Sequence, residues 1–290
     1  MQLSPQSLPG PVKGFAADLV ARSGRLTASR RMTPSFLVAG GQRCGTTSMY
    51  KALIQHPVVL GPVLHKGIHY FDVAYDKPFD WYQAHFPLRR TGARHSTGGT
   101  AAVTFESSPY YLYHPLAAQR IAHDLPDVKL LVLVRDPVER AYSAHSHEVA
   151  RGYEPVTDFE TALALEPTRL AGEEDRLRRD PTARSESHRH HAYVQRGQYV
   201  DHLRRLSDEL GRDRIHVVDS QGFFDNPQPC FDGVLRFLDL PVGPQPVFDR
   251  HNARSRSTLS DQLRTRLTEH FEPYDAELAE WLGSVPSWRR

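Results

Sequence analysis

Apolar residues gather in short continuous runs, each followed by a turn and then by apolar positions at helical spacing. Phe36 to Gly40, Lys129 to Arg135 and Arg214 to Asp219 are such runs, and a shorter one, Ala102 to Glu106, stops at Ser107-Ser108-Pro109. Runs without the alternation of a half-exposed strand predict parallel strands covered on both faces by helices. Helices are expected over Thr46 to His56, closed by Pro57 and Gly61-Pro62, over Leu116 to Leu125, and from Pro137 to about Arg151. At the start of the last, Asp136 suits the N-cap, Pro137 the first helical position, and Glu139 completes a capping-box-like pattern. Tyr199, Leu203, Leu206 and Leu210 recur on one helical face, and Cys230, Val234 and Phe237 on another. Leu259 to Leu282 reads as an amphipathic helix that Pro273 divides.

Other segments are less regular. Residues 65–87 are rich in Tyr, Trp and Phe, as suits a pocket wall, and Arg89 to Thr100 reads as a loop. From Glu166 to about residue 192 the chain turns polar and basic, with His188-Arg-His-His191, and is expected as a mobile excursion or lid. Residues 1–33 carry no continuous apolar core and read as a loosely ordered arm, neither signal peptide nor membrane span, with room for a short helix over Phe15 to Val20. The expectation is therefore a single α/β domain over 34–290: a P-loop-like three-layer fold whose central, mostly parallel sheet is flanked by helices.

Composition narrows the partners. Lys plus Arg number 36 against 34 Asp plus Glu, a net charge of +2 that gives no reason to propose nucleic acid or a membrane surface. Two cysteines, Cys44 and Cys230, cannot build a disulfide framework and suit a reducing compartment, so a cytoplasmic location is expected. The histidines at 188–191 lack Cys or carboxylates at ligand spacing, so no metal site is expected there. Oligomeric state is not written in the sequence.

The chemistry-bearing stretch is Phe36-Leu-Val-Ala-Gly-Gly-Gln-Arg-Cys-Gly-Thr-Thr-Ser48, an apolar strand breaking into a glycine-rich loop that opens a helix. Such a loop turns backbone N–H groups and a helix N-terminus toward an anion. The spacing Gly40-x4-Gly45 is that of a nucleoside-triphosphate loop, but Thr46 stands where that motif requires lysine, and Arg43 carries the positive charge instead. Hydrolysis of a γ-phosphate is disfavoured, whereas a 5′-phosphate bearing a second anionic group suits an arginine and two hydroxyls. A P-loop kinase remains as an alternative that Mg-ATP binding would reveal.

In order along the chain stand Gly41-Gln-Arg-Cys-Gly-Thr-Thr47, Lys66-Gly-Ile-His-Tyr-Phe-Asp72, Thr104-Phe-Glu-Ser-Ser-Pro109, Leu133-Val-Arg-Asp-Pro-Val-Glu-Arg-Ala-Tyr-Ser143 and Arg196-Gly-Gln-Tyr199. Over roughly residues 34 to 285 this set resembles the sulfotransferases that use 3′-phosphoadenosine 5′-phosphosulfate (PAPS), in particular the heparan-sulfate-type and bacterial carbohydrate-type branch. The resemblance implies that Arg43, Cys44, Gly45, Thr46, Thr47 and Ser48 hold the 5′-phosphosulfate end of PAPS, with Arg135 and Ser143 on the 3′-phosphate. It further implies that Tyr199 lines the nucleotide pocket, and that Arg254 and Arg256 belong to a basic loop folding over the nucleotide. The implied reaction is in-line sulfuryl transfer to a hydroxyl, or alternatively an amine, of a carbohydrate, glycolipid or small natural product, without a metal.

Sulfuryl transfer needs a base on the acceptor and positive charge near the leaving phosphate. Arg43 and Lys66 are the candidates for that charge. In many heparan-type enzymes a glutamate after this lysine is the base, but here the position is Gly67. His69, two residues on, points to the same side if the segment is extended, and Glu106 at the end of the next strand is its rival. The family's lysine after that glutamate is here Ser107. With the usual base missing, a catalytically silent protein that binds PAPS or adenosine 3′,5′-bisphosphate is the second alternative.

Overall fold

The computed structural model describes residues 24–243, 245–248 and 258–290. In chain order the strands are β1 (Phe36–Gly40), β2 (Val59–Leu60), β3 (Val103–Ser107), β4 (Lys129–Val134) and β5 (Ile215–Asp219). Between β1 and β3 lie helices α1 (Thr46–Leu53), α2 (Tyr70–Val73), α3 (Phe79–Gln83) and α4 (Arg89–His95). Between β3 and β5 come α5 (Ala117–Asp124), α6 (Pro137–Arg151), α7 (Phe159–Leu170), α8 (Glu173–Arg179), α9 (Glu186–His190) and α10 (Tyr199–Leu210). After β5 follow α11 (Ser220–Asp225), α12 (Pro227–Phe237) and α13 (Asp261–Leu282).

All pairings in the sheet are parallel, in the order β2-β3-β1-β4-β5. Phe36 pairs with Phe105 on one side and with Lys129 on the other. The chain leaves β1 toward β3 and later returns past it to β4, so the sheet's switch point lies at the C-terminal end of β1, where a ligand crevice is expected. Every residue of β1 is buried, and Leu130 to Val134 are at most 1% exposed, which accounts for their unbroken apolar character. The Phe36 and Phe105 rings stack at 4.7 Å across the ladder, each burial contributing about 1.5–3 kcal/mol.

Helix α6 begins and ends as its sequence dictates. The Asp136 side chain accepts from Val138 N–H at 2.9 Å, Pro137 fills the first turn, and Gly152 closes the helix with φ 77°. Elsewhere the structure corrects the sequence reading. Pro273 does not divide the last helix: α13 runs unbroken across it, held by buried Leu267, Phe271, Asp275 and Leu278 on both sides. That packing outweighs the one backbone bond that proline removes. Arg89–His95 is helical rather than loop. The aromatic stretch is core, not pocket wall: Tyr70, Phe71, Tyr82 and Phe86 are at most 3% exposed, and Tyr70 stacks on Tyr82 at 4.8 Å.

The segment expected as a lid forms α8, α9 and the end of α7. Some of its polar residues point inward: the Glu166 carboxylate accepts the N–H groups of Tyr193, Val194 and Gln195, and His188 and His190 are buried. The described part of the N-terminal arm is also tied down, with Arg31 donating to Phe86 O at 2.6 Å and Met32 N–H to Pro87 O. The short helix expected over Phe15 to Val20 lies outside the described residues. Among the described residues no helix is long and apolar enough to cross a membrane.

Candidate active site

The loop after β1 sits at the switch point. Gly41 N–H donates to Leu133 O at 2.7 Å, and Gly45, at φ 85°, starts α1 in the left-handed region that only glycine adopts without strain. A side chain at Gly45 would also meet the Phe224 ring at 3.1 Å. Thr46 and Ser48 are buried, and Thr46 and Thr47 present their hydroxyls to one cation: Lys66 Nζ donates to Thr47 Oγ1 at 3.0 Å and Thr46 Oγ1 at 3.4 Å. Burial pushes the Lys66 ammonium down to about 8, against the opposing pull of Glu106.

Arg43 does not join that cluster. Its backbone is left-handed, φ 69°, and its side chain runs toward α6, where Nε donates to Ser143 Oγ at 3.0 Å and Nη1 lies 3.5 Å from His147 Nδ1. Arg135 Nη1 donates to Arg43 O at 3.4 Å and its other terminal nitrogen stands 3.8 Å from Glu139. The charge expected on one side of the loop is thus divided: Lys66 with Thr46 and Thr47 at one end, Arg43 with Arg135 and Ser143 at the other.

His69 lies in the turn that follows Lys66. Its Nδ1 contacts Asp72 Oδ2 at 2.7 Å, and because a carboxylate only accepts, the neutral ring carries its proton on Nδ1 and offers the Nε2 lone pair. The His69 side chain keeps 30% of its surface exposed, whereas that of Asp72 keeps none. Burial disfavours the imidazolium, but the Asp72 carboxylate outweighs it, and His69 is held above the ordinary histidine value. The segment is not extended, since His69 is left-handed at φ 57°. Its Nε2 nevertheless comes within 3.4 Å of where a Cβ on Gly67 would stand, and that Cβ would lie 2.8 Å from Ser107 O. The imidazole therefore stands where a side chain at residue 67 would begin, and the backbone leaves no room for one.

Glu106 braces the turn before His69. It is fully buried and accepts from Ser108 Oγ and Tyr111 OH at 2.6 Å each and from Ile68 N–H at 3.3 Å. Ser108 Oγ in turn accepts from His69 N–H, and Tyr111 OH from Tyr70 N–H, so the carboxylate fixes the turn that presents His69. Arg120 closes the other end of α2, donating to Phe71 O, Asp72 O and Pro181 O. Tyr199 is buried at 1% exposure, and its hydroxyl donates to Arg135 O at 2.9 Å and lies 3.5 Å from Cys44 Sγ. Cys44 is buried, its thiol pushed up by burial, and it serves the loop through its backbone. Arg254 and Arg256 lie outside the described residues. Sequence reading missed Asp72, Ser108, Tyr111 and His147; for Asp72 and His147 the i+3 and i+4 spacing from His69 and Ser143 was the available signal.

A parallel five-stranded sheet with flanking helices and a glycine loop at its switch point defines an α/β protein. The chain belongs to the sulfotransferase domain family, whose profile matches residues 33–269. Human bifunctional heparan sulfate N-deacetylase/N-sulfotransferase 2 is 26% identical over 293 residues, covering 89% of this chain and 31% of that protein. A Caenorhabditis elegans bifunctional heparan sulfate N-deacetylase/N-sulfotransferase 1 is 23% identical over 293 residues, covering 91% of this chain and 32% of that protein. The chain thus spans about a third of the length of these curated relatives. Among solved structures, a sulfotransferase from Alicyclobacillus acidocaldarius superposes with a TM-score of 0.65 at 28% identity, covering 89% of this chain and 99% of that one.

Proposed function

We propose that this enzyme transfers the sulfuryl group of PAPS to a hydroxyl or amine of a saccharide acceptor, with His69 as the base. The observation that carries the reading is the His69–Asp72 pair in the same turn as Lys66, whose ammonium is held on Thr46 and Thr47 of the glycine loop. The donor has anions at both ends of one adenosine, and the divided charge of the loop suits that. Thr46, Thr47, Lys66 and the α1 N-terminus would hold the 5′ end, and Arg135, Ser143 and Arg43 the 3′-phosphate. Bound there, PAPS supplies the sulfuryl group and a phosphate leaving group. His69 Nε2 takes the proton of the attacking group, Asp72 holds the ring in the tautomer that can accept it, and the Lys66 ammonium meets the charge left on the departing side. The saccharide acceptor is supported by the heparan sulfate named for the relatives, whose N-sulfotransferase name also supports an amine acceptor.

Incubation with PAPS and a panel of saccharides bearing free hydroxyls or a free amine, followed by mass spectrometry, is expected to show a sulfuryl increment. A protein that binds adenosine 3′,5′-bisphosphate yet sulfates no member of the panel or of a cell extract is a silent binder, and tighter binding of Mg-ATP than of the bisphosphate restores the kinase.

The rate carries a pH signature. His69 must be unprotonated, so kcat/KM is expected to rise as pH climbs through its elevated pKa. Lys66 must be protonated, so kcat/KM falls again above about 8. Since kcat/KM reports the free enzyme, the alkaline limb of kcat itself is expected to move upward once donor phosphates hold the Lys66 proton. Profiles from about pH 5.5 to about pH 9.5 test both limbs, and a rate indifferent to pH across that span counts against the pair of assignments.

A further inference from the structure

The proposed reaction makes no use of Arg196, the first residue of the Arg196-Gly-Gln-Tyr199 stretch, yet its guanidinium reaches the glycine loop. Arg196 is buried against the Tyr110 and Tyr113 rings, 4.9 and 5.0 Å from their centres. Its Nη2 donates to His188 O at 3.2 Å and Arg189 O at 2.6 Å, near the end of α9, and its Nη1 donates to Gln42 Oε1 at 2.6 Å. Gln42 Nε2 donates in turn to Glu148 Oε1 at 2.8 Å, and Glu148, wholly buried on α6, has His190 Nδ1 2.9 Å from its other oxygen. A guanidinium only donates and a carboxylate only accepts, so these two contacts fix which way the Gln42 amide faces. A half-buried glutamine is thus gripped at both ends by buried charged groups from two separate elements.

The grip acts on a strained turn. Cys44 N–H returns to Gly41 O at 3.2 Å, which makes Gln42 and Arg43 the central pair, and Arg43 has φ 69° where such turns favour glycine. Left to itself, an arginine there relaxes out of the left-handed region and carries its side chain away from Ser143. The angles φ and ψ are the tilts of the two peptide planes beside a Cα, and both planes of Arg43 are anchored. On one side stands the held Gln42, and on the other Arg135 Nη1 donates to Arg43 O at 3.4 Å. Resting on the PAPS reading, we propose that Gln42, gripped by Arg196 and Glu148, is a positioning residue that keeps Arg43 left-handed and so keeps its guanidinium at the donor's 3′-phosphate. The cluster of Lys66, Thr46 and Thr47 follows Gly45, whose left-handed backbone carries no strain, so the effect falls on the 3′-phosphate.

The test is titration calorimetry with adenosine 3′,5′-bisphosphate and with 5′-AMP on the wild-type chain, Gln42→Met, Arg43→Gly and the double variant. Methionine matches the length of glutamine without its hydrogen bonds, and glycine takes the left-handed region unaided. Gln42→Met is expected to weaken the bisphosphate about 10-fold and 5′-AMP by less than about 2-fold, the retained 5′-AMP binding showing that the variant is folded. In the Arg43→Gly background the same change is expected to move bisphosphate affinity by less than about 2-fold, because no arginine remains to be held. Unchanged bisphosphate affinity in Gln42→Met, a loss shared equally by the two nucleotides, or a loss as large in the Arg43→Gly background overturns this inference alone. Equal affinity of wild-type protein for both nucleotides overturns the donor reading itself.

Discussion

His69→Ala is expected to lower turnover by about 10²- to 10⁴-fold, about 3–5 kcal/mol of barrier, while leaving affinity for adenosine 3′,5′-bisphosphate unchanged. The separation of effects follows from geometry. His69 touches Asp72 through Nδ1 and the Ser108 hydroxyl through its backbone N–H, whereas the loop hydroxyls Thr46 and Thr47 are held by Lys66, and Ser143 by Arg43. Removing the imidazole therefore subtracts the base without removing any of the groups assigned to the donor's phosphates. Asp72→Asn gives a graded companion. An amide can present N–H to the ring and favour the wrong tautomer, so kcat is expected to fall while the acid limb of the pH profile moves down toward the ordinary histidine value, because the carboxylate that raises it is gone. Wild-type rates in His69→Ala would remove His69 from the reaction.

How much of this could be read from the chain depends on how local each determinant is. The α6 boundaries were legible because Asp136, Pro137 and Gly152 act within one turn of themselves. The glycine loop was legible for the same reason. The direction of the Arg43 side chain was not, because it follows from a left-handed backbone at a residue that is not glycine and from partners a hundred residues away. The bracing by Glu106 was half legible: Ser108 and Tyr111 lie within five residues of it, but its Ile68 N–H contact exists only once β3 lies beside the 66–71 turn. The polar segment after residue 166 failed differently. Composition counts polar residues without saying which way they face, and there Glu166, His188 and His190 face inward.

Buried His188, with His114 and His202, sets the second large effect: the protein is expected to lose much of its stability between about pH 6.5 and about pH 5. His188 is held down to about 2, and His114 and His202 to about 3, in each case first by burial; nearby Arg196 adds to the effect at His188 and His202, and Arg205 at all three. Their contacts accommodate the neutral ring. Leu116 N–H donates to His114 Nδ1, His202 Nε2 donates to Gln195 O at 2.9 Å, and His188 stacks on Tyr113 at 4.1 Å with Tyr110 OH 2.7 Å from its Nδ1. The unfolded chain takes up these protons near pH 6.5 and the folded one only far below. Stability is therefore whole above pH 6.5 and declines as pH falls toward about 3. At pH 5 each histidine costs about 2 kcal/mol, about 6 kcal/mol for the three, a large share of a total stability of about 5–15 kcal/mol. His69, Glu106 and Glu166, all held above their ordinary values, bind protons more readily when folded and offset part of the loss. Urea unfolding at about pH 7.5 and about pH 5 measures the difference, with a limiting slope near 4 kcal/mol per pH unit for three protons, and His202→Gln is expected to remove about a third of that slope. Equal stability at the two pH values would show that these rings are not held neutral by the fold.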